Sequence, residues 1–471
     1  MPTLEGVVSE LNTIVGGENV IADKSELLLY ECDGLVFHRH PPHLVVFAEN
    51  AQQISQVVRL ANRHRIPFLP RGAGTGLSGG AISVQGGIII ELARMNKILD
   101  IDLENEFVVC EPGVVNIVLS EKLSPHGYYF APDPSSQVSS TVGGNVAENS
   151  GGPHCLKYGV TVHHVLAIEA VLPDGRIVRL GSPYRDEGYD LAGLFTGSEG
   201  TLGIATRLWL RILRKPQTVR TYLAAFNSVV TAGEAVSRII ASGVLPAALE
   251  MMDHLTVKAV EASVYAAGYP TEAAAVLLLE LDGLSAEVDD LAVRVERVLA
   301  ESGAFQVREA GTERERKQLW AGRKGSFGAM GRLNANLYLQ DTVVPRTRLP
   351  EVLQKVYAVA EKYKLMITSV FHAGDGNLHP LLLYNEKKPG DVERVLAASD
   401  EIVRICVDAG GTLTGEHGIG LEKRDYMSLI FSPDDLAVME RIRAVFNPEG
   451  LCNPYKVIPE TKVCKCFTFG A

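Results

Sequence analysis

Residues 70–80 read PRGAGTGLSGG, and within them Gly74-Thr-Gly-Leu-Ser-Gly79 satisfies G-x-G-x-x-G. That spacing ordinarily marks a βαβ dinucleotide unit, in which a helix begins at the third glycine and its N-terminus takes the pyrophosphate. Here eight residues separate Gly79 from Ile88, and two of them are Gly86 and Gly87. A helix of about ten or more residues has no room there. The next regular element, residues 87–92, reads as a buried strand. No Lys-Ser or Lys-Thr follows the glycines, so the loop is not a Walker loop either. What survives is a turn of small residues whose backbone N–H groups can converge on an anion. Five glycines in nine residues cost more conformational entropy than a plain surface turn requires.

Two further glycine-rich stretches lie in the same half of the chain, TVGGNVAENSGG at 141–152 and GSEGTLG at 197–203. Three such loops suit a long ligand lined by backbone, a dinucleotide rather than a single phosphate. Between and around them, strand-like and helix-like runs alternate. Strands are expected at 43–47, 66–70, 87–92, 107–110, 164–172 and 202–213, and helices at 4–16 and 51–64, the latter with Ile54, Val57, Val58 and Ala61 on one face. Beyond Lys215-Pro216 the rhythm changes, with strands at 223–226 and 273–281 and helices at 229–242, 286–302, 350–363 and 391–409. The order is α+β.

The net charge of −11 argues against a nucleic-acid partner, which needs a basic face. Seven scattered cysteines, Cys464 and Cys466 at the tail among them, fit a reducing compartment and supply no iron–sulfur cluster motif. The first residues lack the basic start of a signal peptide, and no run of about 18 apolar residues occurs. The expectation is a cytoplasmic protein.

The stretches PRGAGTGLSGG, APDPSSQ (131–137), TVGGNVAENSGG and FTGSEGTLG (195–203) together resemble, in order and spacing, the flavin-binding domain of the vanillyl-alcohol oxidase type. The resemblance implies a two-subdomain FAD-binding domain of that type (also called PCMH-type), followed by an α+β substrate or cap domain with an antiparallel sheet. It implies FAD contacts from Pro70, Arg71, Gly72, Ala73, Gly74, Thr75, Gly76 and Ser78, then Pro132, Asp133 and Ser136. Further contacts are implied from Thr141, Gly143, Gly144, Asn145, Asn149, Gly151 and Gly152, and from Glu199, Gly200, Gly203, Ile204 and Asn453. No histidine lies in 71–80, and the surroundings of Cys155 are unlike flavin-linkage motifs, so the FAD is expected to be non-covalent. The domains expected are 1–215 for FAD, 216–425 for the substrate, and 426–471 returning to the FAD domain.

A second constellation lies far downstream. Residues 366–384 read MITSVFHAGDGNLHPLLLY, two apolar runs around Asp375-Gly376. A two-residue turn there would set His372 opposite His379 on one face of a hairpin. Two imidazoles so placed either hold one divalent ion or hydrogen-bond to carbonyls. Glu416 and His417 follow in GEHGIG, among glycines that free the backbone to aim both into a cavity. A carboxylate beside two histidines suits zinc, manganese or iron, and His417 suits a general base near neutral pH.

HAGDGNLH and GEHGIG resemble the C-terminal domain of FAD-linked 2-hydroxyacid dehydrogenases, the D-lactate, glycolate and D-2-hydroxyglutarate enzymes. The resemblance implies that His372, His379 and Glu416 hold the metal and His417 takes the hydroxyl proton. It also implies that Arg323, with Lys324 beside it, grips the substrate carboxylate. Relatives that handle a second carboxylate carry polar residues where this chain has Leu339 and Leu381, so a small monocarboxylate is expected. YECDGL, ALEMMD, LWAGRK and CLKYGVTVH extend the likeness to the FAD subunits of bacterial glycolate oxidases, with glycolate the favoured substrate and D-lactate the alternative. In such systems electrons leave through iron–sulfur partner subunits or to a quinone, and those partners can hold the chain at the inner membrane. A non-catalytic flavin-binding subunit would be free to lose His417 or Arg323, and both are present.

Overall fold

The computed structural model describes residues 3–184, 188–459 and 468–469; Cys464 and Cys466 lie outside them. The chain forms two compact units. The first comprises Met1–Gly151, Val160–Lys215 and Glu416–Ala471, and the second Gly152–Gly159 and Pro216–Gly415. These limits differ from those expected in two places. The chain rejoins the first unit at Glu416 rather than after 425. The reason is local: Ile419 N–H donates to the Glu199 carboxylate (2.8 Å), and Leu421 and Glu422 N–H both donate to the Ser78 carbonyl. Residues 152–159 leave the first unit because His154, Lys157 and Tyr158 bond to Glu280 and Asp282 of the second.

In the first unit, Val20–Ile21 (β1), Leu44–Phe47 (β2), Phe68–Arg71 (β3) and Ile88–Glu91 (β4) form a sheet in the order β1-β2-β4-β3, with β4 parallel to both β2 and β3. The helix Ala51–His64 carries Ile54, Val57, Val58 and Ala61 at the expected spacing, and all four are fully buried. Asn50 caps it by accepting from Gln53 N–H. From Gly72 to Gly87 the chain contains no helix, as the crowded spacing required. Ile98–Asp102 (β5), Phe107–Cys110 (β6), Val165–Val171 (β8), Ile177–Gly181 (β9) and Ile204–Arg211 (β10) make an antiparallel sheet in the order β5-β6-β10-β8-β9, and Tyr128–Tyr129 (β7) pairs with Leu213–Arg214 (β11). The stretch at 141–152 is more than a loop. Val142–Glu148 is helical, with the Thr141 hydroxyl accepting from Gly144 N–H. Two glycines in seven residues hid a helix that its cap and its buried Val142 and Val146 stabilise.

The second unit is built on a sheet of Thr218–Phe226 (β12), Ala248–Asp253 (β13), Ala275–Gly283 (β14), Gln306–Glu309 (β15), Asn336–Leu339 (β16), Met366–Phe371 (β18) and Pro380–Tyr384 (β20). Its order is β15-β12-β14-β13-β18-β20-β16, antiparallel throughout. β14 is buried over nearly its whole length, as a strand covered on both faces must be. Thr342–Val343 (β17) and Asn377–Leu378 (β19) form a small separate pair. This agrees with the α+β architecture and antiparallel cap sheet expected.

Candidate active site

In the first unit the three glycine-rich stretches and the C-terminal segment meet. A Cβ on Gly72 would overlap the Thr141 hydroxyl, one on Gly200 would lie 2.8 Å from the Pro70 ring, and one on Gly420 would overlap the Ser78 carbonyl. Gly420 also has φ +51°, so both its conformation and its clearance require glycine. Asn453, itself left-handed at φ +43°, donates through Nδ2 to the carbonyls of Gly80 (2.9 Å) and Glu199 (2.6 Å). Pro70, Gly72, Ser78, Thr141, Glu199, Gly200 and Asn453 are therefore gathered by direct contacts.

Other expected cofactor residues serve the scaffold. Arg71 donates to the carbonyls of Cys32 and Ala81 and braces the loop containing Ala73, Gly74, Thr75 and Gly76. Asn145 bonds to Asn116, Ser140 and Ser150, and Asn149 accepts from Val162 N–H. The Pro132 carbonyl accepts from Asn116, and that of Ser136 from Ser139 and Ser140; Asp133 lies between them. Gly143 packs on Pro112, with Gly144 on the Thr141 cap. Gly203 lies against the Val171 carbonyl where Ile204 opens β10. Gly151 closes the first segment of this unit, whereas Gly152 belongs to the other.

Around Ser78 and Glu199 lies a group of buried charges. Asp33, Glu199 and Lys456 are buried and Glu148 is half-buried, and Lys456 Nζ donates to the Ile82 carbonyl (2.6 Å). Burial, joined by the charges of Glu199 and Asp33, lifts the Glu148 carboxyl well above the usual range. Burial raises Glu199 to about 7 against the N–H bonds of Ile419 and Gly420, and lowers Lys456 to about 8. Glu199 Oε2 has no hydrogen-bond partner among the described residues. A backbone cradle beside a buried, unsatisfied oxygen fits a polar, hydrogen-bonding ligand such as a flavin. Glu416 and His417 open the returning segment of this unit, with His417 Nε2 3.7 Å from Glu416 Oε1 and both largely buried.

In the second unit the hairpin register differs from the one expected. β18 pairs with β20 as Thr368↔Leu381 and Ser369↔Pro380, and His372 bridges Asn377. The turn is therefore Ala373-Gly374-Asp375-Gly376, four residues rather than two, and His372 is not directly opposite His379. The imidazoles still meet as a diagonal pair, their centroids 5.3 Å apart and their planes at 82°, within the reach of long side chains at that offset. β19 also pairs with β17, as Thr342↔Leu378 and Val343↔Asn377.

The two neighbouring registers give each histidine a carboxylate. β13 pairs with β18 as Met252↔Val370 and Met251↔Phe371, which carries Glu250 across from His372. Glu250 accepts from His372 Nδ1 at 2.8 and 3.0 Å. Continuing β17–β19 carries Asp341 beside His379, Nε2 to Oδ1 3.4 Å, and Asp341 also accepts from Thr414 Oγ1 and Gly415 N–H. An ionised carboxylate only accepts, so His372 Nδ1 bears a proton, and Nε2 is the ring nitrogen not engaged with Glu250. A carboxylate behind an imidazole is the arrangement that orients metal-binding histidines, so these residues fit a divalent ion.

Arg323 lies on the helix Glu313–Ala329 and is 4% exposed. Its Nε and Nη2 both go to Glu250 Oε2, at 2.7 and 2.6 Å. Lys324, half-buried, lies about 100° further round the helix. Burial alone would raise the Glu250 carboxyl, but His372 and Arg323 outweigh it and hold the group below its ordinary value. Leu339 and Leu381 are cross-strand partners in β16–β20 and join one apolar cluster.

Glu250 and Asp341 are candidate site residues that motif reading passed over. A visible signal existed for Glu250, one charge inside the otherwise apolar strand ALEMMD, where burial demands a partner. Asp341, Glu148 and Lys456 carry no comparable mark.

p-Cresol methylhydroxylase matches with a TM-score of 0.81 over 96% of both chains at 19% identity. 4-Ethylphenol oxidase of Gulosibacter chungangensis matches with 0.79 over 96% of this chain and 97% of its own at 18%. The fold is thus the vanillyl-alcohol oxidase/PCMH type. Residues 42–181 match the FAD binding domain model, and 215–457 match the model of the C-terminal domain of FAD linked oxidases. Glycolate oxidase subunit GlcD of Escherichia coli K12 is 44% identical over 99% of this chain and 93% of its own, and that of Bacillus subtilis 37% over 96% of each. D-lactate dehydrogenase of Anaerostipes hadrus is 35% identical over 90% of each. The chain belongs to the FAD-linked oxidases: it is an FAD-dependent oxidoreductase.

Proposed function

We propose that this enzyme oxidises a small 2-hydroxy monocarboxylate, glycolate in particular, to the 2-oxo acid, with non-covalent FAD and a divalent ion held by His372, His379 and Glu416. The observation that carries the reading is the buried set His372–Glu250–Arg323, an imidazole and a guanidinium held by one carboxylate. Near-full-length identity to glycolate oxidase subunits supports the substrate. Bound FAD supplies the two-electron acceptor, and the ion supplies Lewis acidity that lowers the pKa of a coordinated hydroxyl.

The chain's own residues do the rest. Arg323 has five N–H donors, of which Nε–H and one on Nη2 go to Glu250. Three remain, enough for the substrate carboxylate to dock end-on across Nη1 and Nη2 in the planar geometry such a pair prefers. Lys324 adds positive charge beside it. His417 takes the hydroxyl proton as general base. Leu339 and Leu381 offer no partner to a second carboxylate, whose unpaired burial would cost several kcal/mol. Electrons leave to partner subunits, iron–sulfur proteins among them, or to a quinone. Among the described residues no helix is long and apolar enough to cross a membrane.

Anaerobic mixing with glycolate should bleach the flavin absorption; a protein that stays yellow with both glycolate and D-lactate has another substrate. The D-lactate dehydrogenase relative favours a second reading, D-lactate as the preferred acid. One methyl group in an apolar pocket discriminates by roughly 1–3 kcal/mol, so the two kcat/KM values decide.

A further inference from the structure

We propose that Glu250 is a positioning residue that couples the ion to the substrate carboxylate, by fixing the imidazole of His372 and the guanidinium of Arg323 together. The proposal rests on the roles given above to those two residues. Glu250 is 0% exposed and lies within the core strand β13. Its Oε1 faces His372 Nδ1 and its Oε2 receives Arg323 Nε and Nη2. One carboxylate therefore fixes the orientation of both partners by engaging Nδ1 of the imidazole together with Nε and Nη2 of the guanidinium. The net charge is part of the device. Glu250 offsets the charge of Arg323, so the attraction on an entering carboxylate rests on Lys324 and on a bound dication. Ion and carboxylate should then strengthen each other's binding.

The alternative is that Glu250 only neutralises a buried arginine. The test uses full-length, FAD-loaded protein stripped by a chelator. Zinc affinity is measured by competition with a chromophoric chelator. Acetate affinity is measured from the flavin difference spectrum, with and without zinc. In wild type, zinc should tighten acetate binding. Glu250→Gln should weaken zinc 10–100-fold, the usual effect of removing the carboxylate behind a ligating histidine, and abolish the zinc effect on acetate, with FAD content unchanged. Zinc affinity equal to wild type, or zinc dependence of acetate binding left intact, overturns the proposal.

Should Glu250→Gln not fold, Arg323→Met and Arg323→Met/Glu250→Gln provide the comparison without stranding a buried cation. Zinc must bind more weakly to the double variant, and equal affinities overturn the proposal. A wild-type protein that binds neither zinc, manganese nor ferrous ion overturns the metal reading itself, a failure distinct from equal affinities among variants.

Discussion

At the scale of single residues, the site depends on buried groups that would be costly alone and are held by partners. Glu250, Asp341 and Arg323 are each withdrawn from water, where an isolated charge is strongly disfavoured. Glu250 and Arg323 share one pair, and Asp341 is satisfied by Thr414 and Gly415. His417 differs, because its proposed work is to gain and lose a proton. His417→Ala should slow anaerobic flavin reduction by about 10²–10⁴-fold, the range for loss of a general base, while the purified protein stays yellow. Colourless protein would mean that His417 supports the flavin site instead.

At the scale of elements, the helix Glu313–Ala329 joins the two buried systems of the second unit. Trp320 and Arg323, three residues apart, share a face. Trp320 Nε1 donates to Glu280 (2.7 Å) while Arg323 holds Glu250. Burial opposes ionisation of Glu280, but bonds from His154, Arg316 and Thr221 overcome it and bring its pKa to about 2. The folded value lies below the unfolded one, so the contribution is complete above about pH 4.5 and is lost as pH falls toward 2. It amounts to at most ~3 kcal/mol. Urea unfolding of Glu280→Gln at pH 6 and pH 3.5 should show a smaller pH difference than wild type. An unchanged difference places the acid sensitivity elsewhere.

Much of this was readable beforehand. Residues 51–64 and 107–110 form the elements expected, because their apolar periodicity answers directly to burial. The helix Val142–Glu148 was hidden by its glycines, and the exact pairing of His372 by a turn of four residues where Asp375-Gly376 suggested two. Local spacing does not distinguish the two turn lengths. His372 and His379 were legible as a pair from their motif. Glu250 lies more than a hundred residues upstream of His372, and only the fold makes them neighbours.

At the scale of the whole molecule, the chain passes between its units after Gly151, Gly159, Lys215 and Gly415. The short excursion 152–159 has a structural task. It carries His154 to Glu280, and Lys157 and Tyr158 to Asp282. A fragment of 216–415 should therefore unfold at a lower temperature than the same fragment with 152–159 attached by a flexible linker. Identical melting curves by circular dichroism would show that the excursion adds nothing to the unit's stability.

The return of the chain at Glu416 also sets a timetable for biosynthesis. Gly420 and Asn453, which complete the cradle around Ser78, Glu199 and Gly200, are synthesised more than two hundred residues after those three. Until they arrive, the early glycine loops have no closing wall. A chain terminated before Gly420 should therefore copurify with less FAD than the full-length protein.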